Sequence, residues 1–448
     1  MARLFGTDGV RGIANTELTP ELAFRLGRAG AYVLTKHKES AEARIVIGKD
    51  TRISSDMLEA ALISGVLSMG VDVVRLGVIS TPGVAYVTRK IESAAGVMIS
   101  ASHNPVEDNG IKFFGGDGFK LLDDVEDEIE QVLNEPEDRL PRPVGAQVGR
   151  VSDEPLVKLY QEFLMSTVNH SFERLHIVLD CANGAASNIA PDVFRKLGAK
   201  LTVLNSEPDG ININVGCGST HPGTVQAAVI KHGADLGLAF DGDADRLIAV
   251  DSQGNIIDGD FVMAICAKSL HERGELDNDT VVATVMSNLG FVKAMENLGI
   301  EVERTAVGDR YVMEAMRRGR HVLGGEQSGH IIFLNHTTTG DGILTALQLT
   351  NILVETGQPL SELAKVMQRY PQILENVRVR DKEAWRANPR IQEALAQGKS
   401  VLGSSGRVLV RESGTEPIVR VMAEGPDEQV LQSCVHAIVR VVEEELGA

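Results

Sequence analysis

The chain is 448 residues long, with 43% hydrophobic and 24% charged residues, enough apolar material for several cores and too much for a disordered or fibrous chain. Lys and Arg number 44 against 62 Asp and Glu, and the net charge of −18 argues against a nucleic-acid or anionic-membrane partner. The four cysteines form no C-x-x-C pair, MARLFGTDGVRG has no apolar leader, and no run of about 18 apolar residues occurs, so a reduced, cytoplasmic protein without a membrane span is expected.

At the N-terminus, FGTDGVRG sets Thr7 and Arg11 among Gly6, Gly9 and Gly12, a mixture suited to contacting phosphate. The apolar run RIVIGKDTR from Arg44 reads as a buried parallel strand entering a loop and helix, with Lys49 and Arg52 as further phosphate candidates. A second strand follows at VDVVRLG from Val71, and a turn at STPG precedes a helix and a third strand, AGVMIS. That strand runs into SASHNP, the turn residues Glu107 to Gly110, and Lys112. Small neighbours around Ser102 leave its hydroxyl room to approach a ligand, although the segment on its own reads first as a surface turn. There is no G-x-S-x-G elbow for a serine hydrolase.

The acidic helix Asp123 to Leu133 ends in the Pro- and Gly-rich stretch NEPEDRLPRPVGAQVGR, which reads as a linker before an amphipathic helix at Leu156 to Leu164. The strand pattern then recurs twice. HIVLDCANGAA, KLTVLNS and LGLAF lead to DGDADR; TVVATVMSNLG, EVERTAVG and RHVLGG lead to EQSGH. The spacing from turn to loop is 17 to 20 residues in all three cases, so Ser102, Asp241 and Glu326 occupy equivalent strand-end positions, where parallel α/β sheets bind ligands.

Asp241, Asp243 and Asp245 alternate at i, i+2 and i+4, which gathers three carboxylates on one side if the backbone stays extended and suits Mg²⁺. The EF-hand reading fails, because Arg246 stands where that loop needs Gly and Ser252 where it needs Glu. Glu326 and Ser328 among glycines suit sugar hydroxyls. After DGDADR, a hairpin turns at Gln253 to Asn255. Beyond Pro371 the pattern changes to a strand at NVRVR, a helical segment with Trp385, two strands flanking RESGTEP, and a helix from Glu428. Arg411, Ser413, Gly414, Thr415 and Arg420 there have the makings of a phosphate cradle. The expected fold is three related α/β domains with mixed or parallel sheets (1–150, 151–258, 259–370) and a smaller C-terminal α+β domain (371–448) around a central cleft.

Taken together, FGTDGVRG, ISASHNP, NGIK, DGDADR, GEQSGH and RESGTEP, in that order, resemble the α-D-phosphohexomutase family across essentially the whole chain. RESGTEP and VGDRYV are closest in wording to bacterial members acting on glucosamine phosphate. The resemblance implies that Ser102 is the phosphoserine carrier and that its phosphate joins Asp241, Asp243 and Asp245 around one Mg²⁺ per chain. It implies that Glu326 and Ser328 read the sugar hydroxyls, and that Arg411, Ser413, Gly414, Thr415 and Arg420 hold the phosphate that is not reacting. Arg11, His103, Lys112, Arg246 and His330 are placed near the reacting group, with acid and base unassigned. The implied activity interconverts glucosamine 6-phosphate and glucosamine 1-phosphate through a hexosamine 1,6-bisphosphate, feeding UDP-N-acetylglucosamine and cell-wall precursor synthesis. Mannose or glucose phosphate as substrate, a phosphatase, and a silent sugar-phosphate binding protein are the alternatives. A homodimer is left open as the assembly.

Overall fold

The computed structural model describes residues 3–6, 8–36, 43–413 and 417–448, so Thr7, Gly414 and Thr415 lie outside the described residues. The chain divides into two compact units, one of Met1–Met286 with Ile300–Val366, the other of Ser287–Gly299 with Met367–Ala448.

Three sheets of the first unit share one topology. In the first, Arg44–Lys49 lies between parallel neighbours Asp72–Val78 and Ala95–Ile99. In the second, His176–Asp180 lies between Lys200–Leu204 and Leu236–Phe240, and in the third Thr280–Thr284 lies between Glu301–Thr305 and Leu323–Gly325. Each central strand is Val- and Ile-rich and buried on both faces, as parallel strands must be when helices cover the sheet. The second strands are more exposed where they form a sheet edge, at Lys200–Leu204 and Glu301–Thr305.

A fourth strand completes each repeat. Asp108–Gly115, Leu247–Asp251 and Ile331–Phe333 each pair antiparallel with the third strand of their sheet. The loops bearing Ser102, the three aspartates and Glu326 are therefore the connections between a parallel strand and its antiparallel neighbour, and both loop ends are held by ladder hydrogen bonds. Of these fourth strands the sequence reading includes only the hairpin after DGDADR, where Leu247–Asp251 pairs with Ile256–Ile257. Val10–Ile13 adds to the first sheet beyond Asp108–Gly115, with Arg11 opposite Gly110.

In the second unit, Gln372–Arg378, Ile418–Glu424 and Arg407–Glu412 form an antiparallel sheet whose core includes Val377, Val421, Ile391, Leu431 and Ile438, drawn in part from helices Pro389–Leu402 and Glu428–Leu446. The first strand begins at Gln372, earlier than NVRVR suggests. All four cysteines are buried and unbridged. Among the described residues no helix is long and apolar enough to cross a membrane.

Candidate active site

Ser102 adopts a left-handed backbone conformation, φ +54°, uncommon for a residue with a side chain. The loop around it is held from three directions. Asn214 Nδ2 and Arg52 Nη2 donate to the Ser102 carbonyl at 2.9 and 3.0 Å, and Ser102 N–H donates to Ser100 Oγ at 2.9 Å. Gly242 lies beneath: a Cβ there would stand 2.6 Å from the Ser102 carbonyl oxygen, so a larger residue would push the Ser102 loop away.

This framework accounts for Arg52. Its side chain is fully buried, paired with Asp50 at 2.9 Å, and its guanidinium spans the carbonyls of Ser102, Asn104 and Pro105. It shapes the loop through donors that a ligand phosphate would otherwise need. Lys49 pairs with Asp56 and Glu59. In the folded chain the Arg52 donors go to Asp50 and to loop carbonyls, and two of the Lys49 donors go to carboxylates.

The Ser102 hydroxyl donates to Asp241 Oδ2 at 2.7 Å, and His103 Nδ1 lies 3.3 Å from Ser102 Oγ. Asp241, Asp243 and Asp245 are buried, with ligand oxygens all within 4.8 Å of one another. They are not gathered by an extended backbone. Ala244 turns with φ +56°, and the Asp241 carboxylate accepts the Arg246 N–H at 3.2 Å, so a compact turn converges the three groups. Asp243 Oδ2 accepts from Thr81 Oγ1 at 2.6 Å and from Lys112 Nζ at 2.8 Å. Asp243 Oδ1 and Asp245 Oδ1 are buried with no hydrogen-bond partner among the described residues, an expensive arrangement that a divalent cation among hard oxygens would relieve. The residues fit a metal ion.

Charges reflect this crowding. Burial, with Asp245 and Asp243 alongside, holds the Asp241 carboxyl well above its usual range. Burial also penalises charge on Asp245, but His330, Lys112 and Arg246 outweigh it and hold that group below the usual range. Burial and the adjacent guanidiniums of Arg246 and Arg11 push His103 down to about 4, so its imidazole is neutral near pH 7. His330 titrates above its ordinary value, because the Asp245 carboxylate outweighs the penalty of burial.

A cavity of about 450 Å³ opens beside Ser102, with Arg11, His103, Asp245, Arg246, Glu326 and His330 in its wall. The third loop reaches it by leaning on the second sheet: Leu247 N–H donates to the Gly329 carbonyl, and Gly329 has φ +94° where a Cβ would strike the Leu247 carbonyl at 2.1 Å. Glu326 Oε1 accepts the Gly308 N–H at 3.2 Å. A serine hydroxyl against a carboxylate cluster, with cations and a polar loop around one cavity, can carry and transfer a phosphoryl group.

Segments of the chain match, in order, the phosphoglucomutase/phosphomannomutase alpha/beta/alpha domains I (2–139), II (157–254) and III (258–370) and the C-terminal domain (374–441). The chain belongs to the phosphoglucomutase/phosphomannomutase family. It is 59% identical to the phosphoglucosamine mutase of Brevibacillus brevis and 57% identical to that of Bacillus subtilis, in each case over 100% of both chains. In fold it resembles a phosphoglucomutase/phosphomannomutase family protein of Burkholderia thailandensis, with TM-score 0.83 and 23% identity over 100% of this chain and 99% of that one. Aspergillus fumigatus N-acetylphosphoglucosamine mutase, crystallised with GlcNAc-6P and magnesium, gives TM-score 0.69 at 18% identity over 98% and 95%. This phosphohexomutase is thus an isomerase of the intramolecular phosphotransferase type.

Within it, Ser102, Arg11, His103, Asp245, Arg246, Glu326 and His330 meet at the cavity. Lys112 is 1% exposed and reaches the cluster from behind, bridging Asp243 and Asp8. Ser328 is exposed at the loop tip. In the second unit, Arg411 and Arg420 are cross-strand partners, Ser413 is buried, and Arg420 Nε is buried with no hydrogen-bond partner among the described residues. Burial and the neighbouring Arg420 lower the Arg411 titration point. Sequence reasoning missed Asp8, Thr81, Lys120 and Asp309. FGTDGVRG and VGDRYV both carry acids, but nothing in their spacing shows that the two segments meet.

Proposed function

We propose that this phosphohexomutase interconverts glucosamine 6-phosphate and glucosamine 1-phosphate, with Ser102 as the phosphoryl carrier. The observation that carries the chemistry is the Ser102 hydroxyl, 2.7 Å from a buried three-aspartate cluster and at the wall of a cavity that Arg11 and Arg246 also line. The choice of amino sugar rests on the high full-length identity to chains named phosphoglucosamine mutase.

In this reading Asp241, Asp243, Asp245 and the Ser102 phosphate hold one Mg²⁺, which supplies charge neutralisation at the phosphoryl oxygens. Phosphoserine 102 loses its P–O bond as the free sugar hydroxyl forms one, and that hydroxyl surrenders its proton. The resulting 1,6-bisphosphate reorients and returns its other phosphoryl group to Ser102. Arg11 and Arg246 orient the transferring group, and the neutral His103 is able to accept a proton near pH 7, whereas Lys112 is held charged: its carboxylate partners Asp243 and Asp8 outweigh burial. Glu326 and Ser328 read sugar hydroxyls in both poses. Arg411, Ser413 and Arg420, with Gly414 and Thr415, take the phosphate at rest, supported by the buried Arg420 Nε, which has no hydrogen-bond partner among the described residues. The proposal keeps the division 1–150, 151–258, 259–370 and 371–448, one loop from each part. It places the enzyme in the cytoplasm with no nucleic-acid or membrane partner, consistent with the charge of −18.

A product-resolved assay on the 6-phosphates of glucosamine, glucose and mannose tests the reading. Glucosamine 6-phosphate is expected to turn over fastest; preference for mannose or glucose phosphate by orders of magnitude, or inorganic phosphate as the main product, would overturn it.

A further inference from the structure

Lys120 does not line the cavity beside Ser102, yet the fold delivers it through a dedicated turn to two acids of the cavity wall, Asp8 and Asp309. Gly115 N–H donates to the Phe119 carbonyl at 2.9 Å, and Gly118 has φ +79°, a conformation that suits glycine. A Cβ at Gly118 would stand 2.8 Å from the Ala85 carbonyl, and Thr338 Oγ1 donates to the Gly118 carbonyl. The turn is thus fastened to the loop 337–339, and Lys120 comes back beside Phe114.

Its ammonium lies between two carboxylates from distant parts of the chain, Asp8 at 2.5 Å and Asp309. The side chain is about one-fifth exposed. Asp8 spends its other oxygen on Lys112 Nζ, 2.9 Å away, and on Arg11. Lys112 in turn reaches Asp243 at 2.8 Å. Asp309 Oδ1 accepts the Arg310 N–H, and Oδ2 lies 3.8 Å from His330 Nε2. Positive and negative groups therefore alternate from Asp309 through Lys120, Asp8 and Lys112 to the aspartate cluster. Without Lys120, two carboxylates at the cavity would lose their shared cation. Asp8 would draw harder on Lys112 and Arg11, and the incoming phosphate, carrying about −1.5 to −2 charges, would face an additional uncompensated anion.

We propose that Lys120 is a positioning residue for phosphoryl transfer, holding Asp8 and Asp309 so that Lys112 stays on Asp243 and Arg11 stays available to the phosphoryl group. The proposal rests on the reading of Ser102 as carrier, and intact mass separates the two failures. Absence of phosphate on Ser102 in active wild-type enzyme counts against that reading, whereas phosphorylated Lys120→Met enzyme within about threefold of wild type overturns the positioning role alone.

The expected loss of kcat/KM in Lys120→Met is about 100-fold, the scale on which small displacements of catalytic groups act. Lys120→Arg, which keeps the charge, should retain most activity. In Lys120→Met/Asp309→Asn one of the two orphaned charges, the one that only Lys120 pairs closely, is removed together with the lysine, so the incoming phosphate meets one anion fewer and kcat/KM should recover at least tenfold over Lys120→Met. A side chain that merely fills space predicts a double variant no better than the single one, and that outcome refutes the proposal. If Lys120→Met does not fold, the double variant is set against wild type: folded with at least a tenth of its kcat/KM supports the role, and less activity or no folding overturns it.

Discussion

The aspartate cluster of the first unit and the arginine pair of the second are opposite solutions to one problem, the holding of highly charged groups. Around Ser102, three carboxylates converge within 4.8 Å, and two of their oxygens are buried with no hydrogen-bond partner among the described residues, so the cluster itself is short of cations. On Arg407–Glu412 and Ile418–Glu424, Arg411 and Arg420 stand as cross-strand neighbours, like charges that repel in the absence of a ligand. Each region is poorly satisfied by its own side chains. A fold tolerates such local disagreement where a ligand supplies the missing charge. The lesson is that unmet electrostatic demand carries a sign: the first region fits a cation, and the second is in keeping with the anion proposed for it.

The sharpest way to break this contrast is at Ser102, the proposed carrier. Ser102→Ala is expected to lower turnover by at least about 10⁴-fold, and the purified protein should lose the mass of one phosphoryl group. Retained phosphate in that variant would move the carrier elsewhere. Next in size, Asp243→Asn removes one anion from the cluster. Turnover at saturating Mg²⁺ should fall about 10²–10³-fold with little change in melting temperature, and an unchanged rate would deny Asp243 a ligand's part.

The arginine pair should behave differently. Arg420→Ala is expected to raise KM for the sugar phosphate about tenfold while kcat changes less, the pattern of lost binding to a group that does not react. A fall confined to kcat would place Arg420 in the transfer step and erase the distinction between the two regions. The smallest effect concerns pH. His103 titrates near 4 in the folded chain and 6.5 is its ordinary value, so the unfolded chain binds its proton first as pH falls. Stability should therefore decline between about pH 6.5 and 4, and His103→Asn should flatten part of that decline in melts of the enzyme before phosphorylation. An unaltered slope would show that the buried carboxylates alone set it.

Much of the site was legible because its residues follow apolar strands that repeat at nearly constant spacing. Ser102, Asp241 and Glu326 each begin or follow closely on the end of a buried strand, and periodicity alone reveals such positions. The antiparallel strands Asp108–Gly115 and Ile331–Phe333 were harder to see. Their apolar runs follow the functional loops directly, and pattern alone does not tell whether the chain turns back beside the previous strand or crosses to another.

Arg52 shows the limit of residue chemistry. A guanidinium in a Gly- and Asp-containing loop suggests phosphate, yet in the folded chain Asp50 and three carbonyls take its donors, and it becomes the support of the Ser102 loop. Ala244 makes the same point for the backbone, since a left-handed turn, where the spacing suggested an extended run, brings the aspartates together.

By itself, the sequence determined the family, the repeated strand pattern and the residues competent for phosphoryl chemistry, because apolar periodicity and short motifs are local properties. Only the tertiary structure decided which competent groups are spent on holding the loops and which remain for a ligand. Asp8, Lys120 and Asp309 lie 112 and 189 residues apart along the chain and meet at one ammonium. The cost of leaving any of these charges unpaired is a property of the folded, low-dielectric interior, and it arises only once the strands have been ordered beside one another.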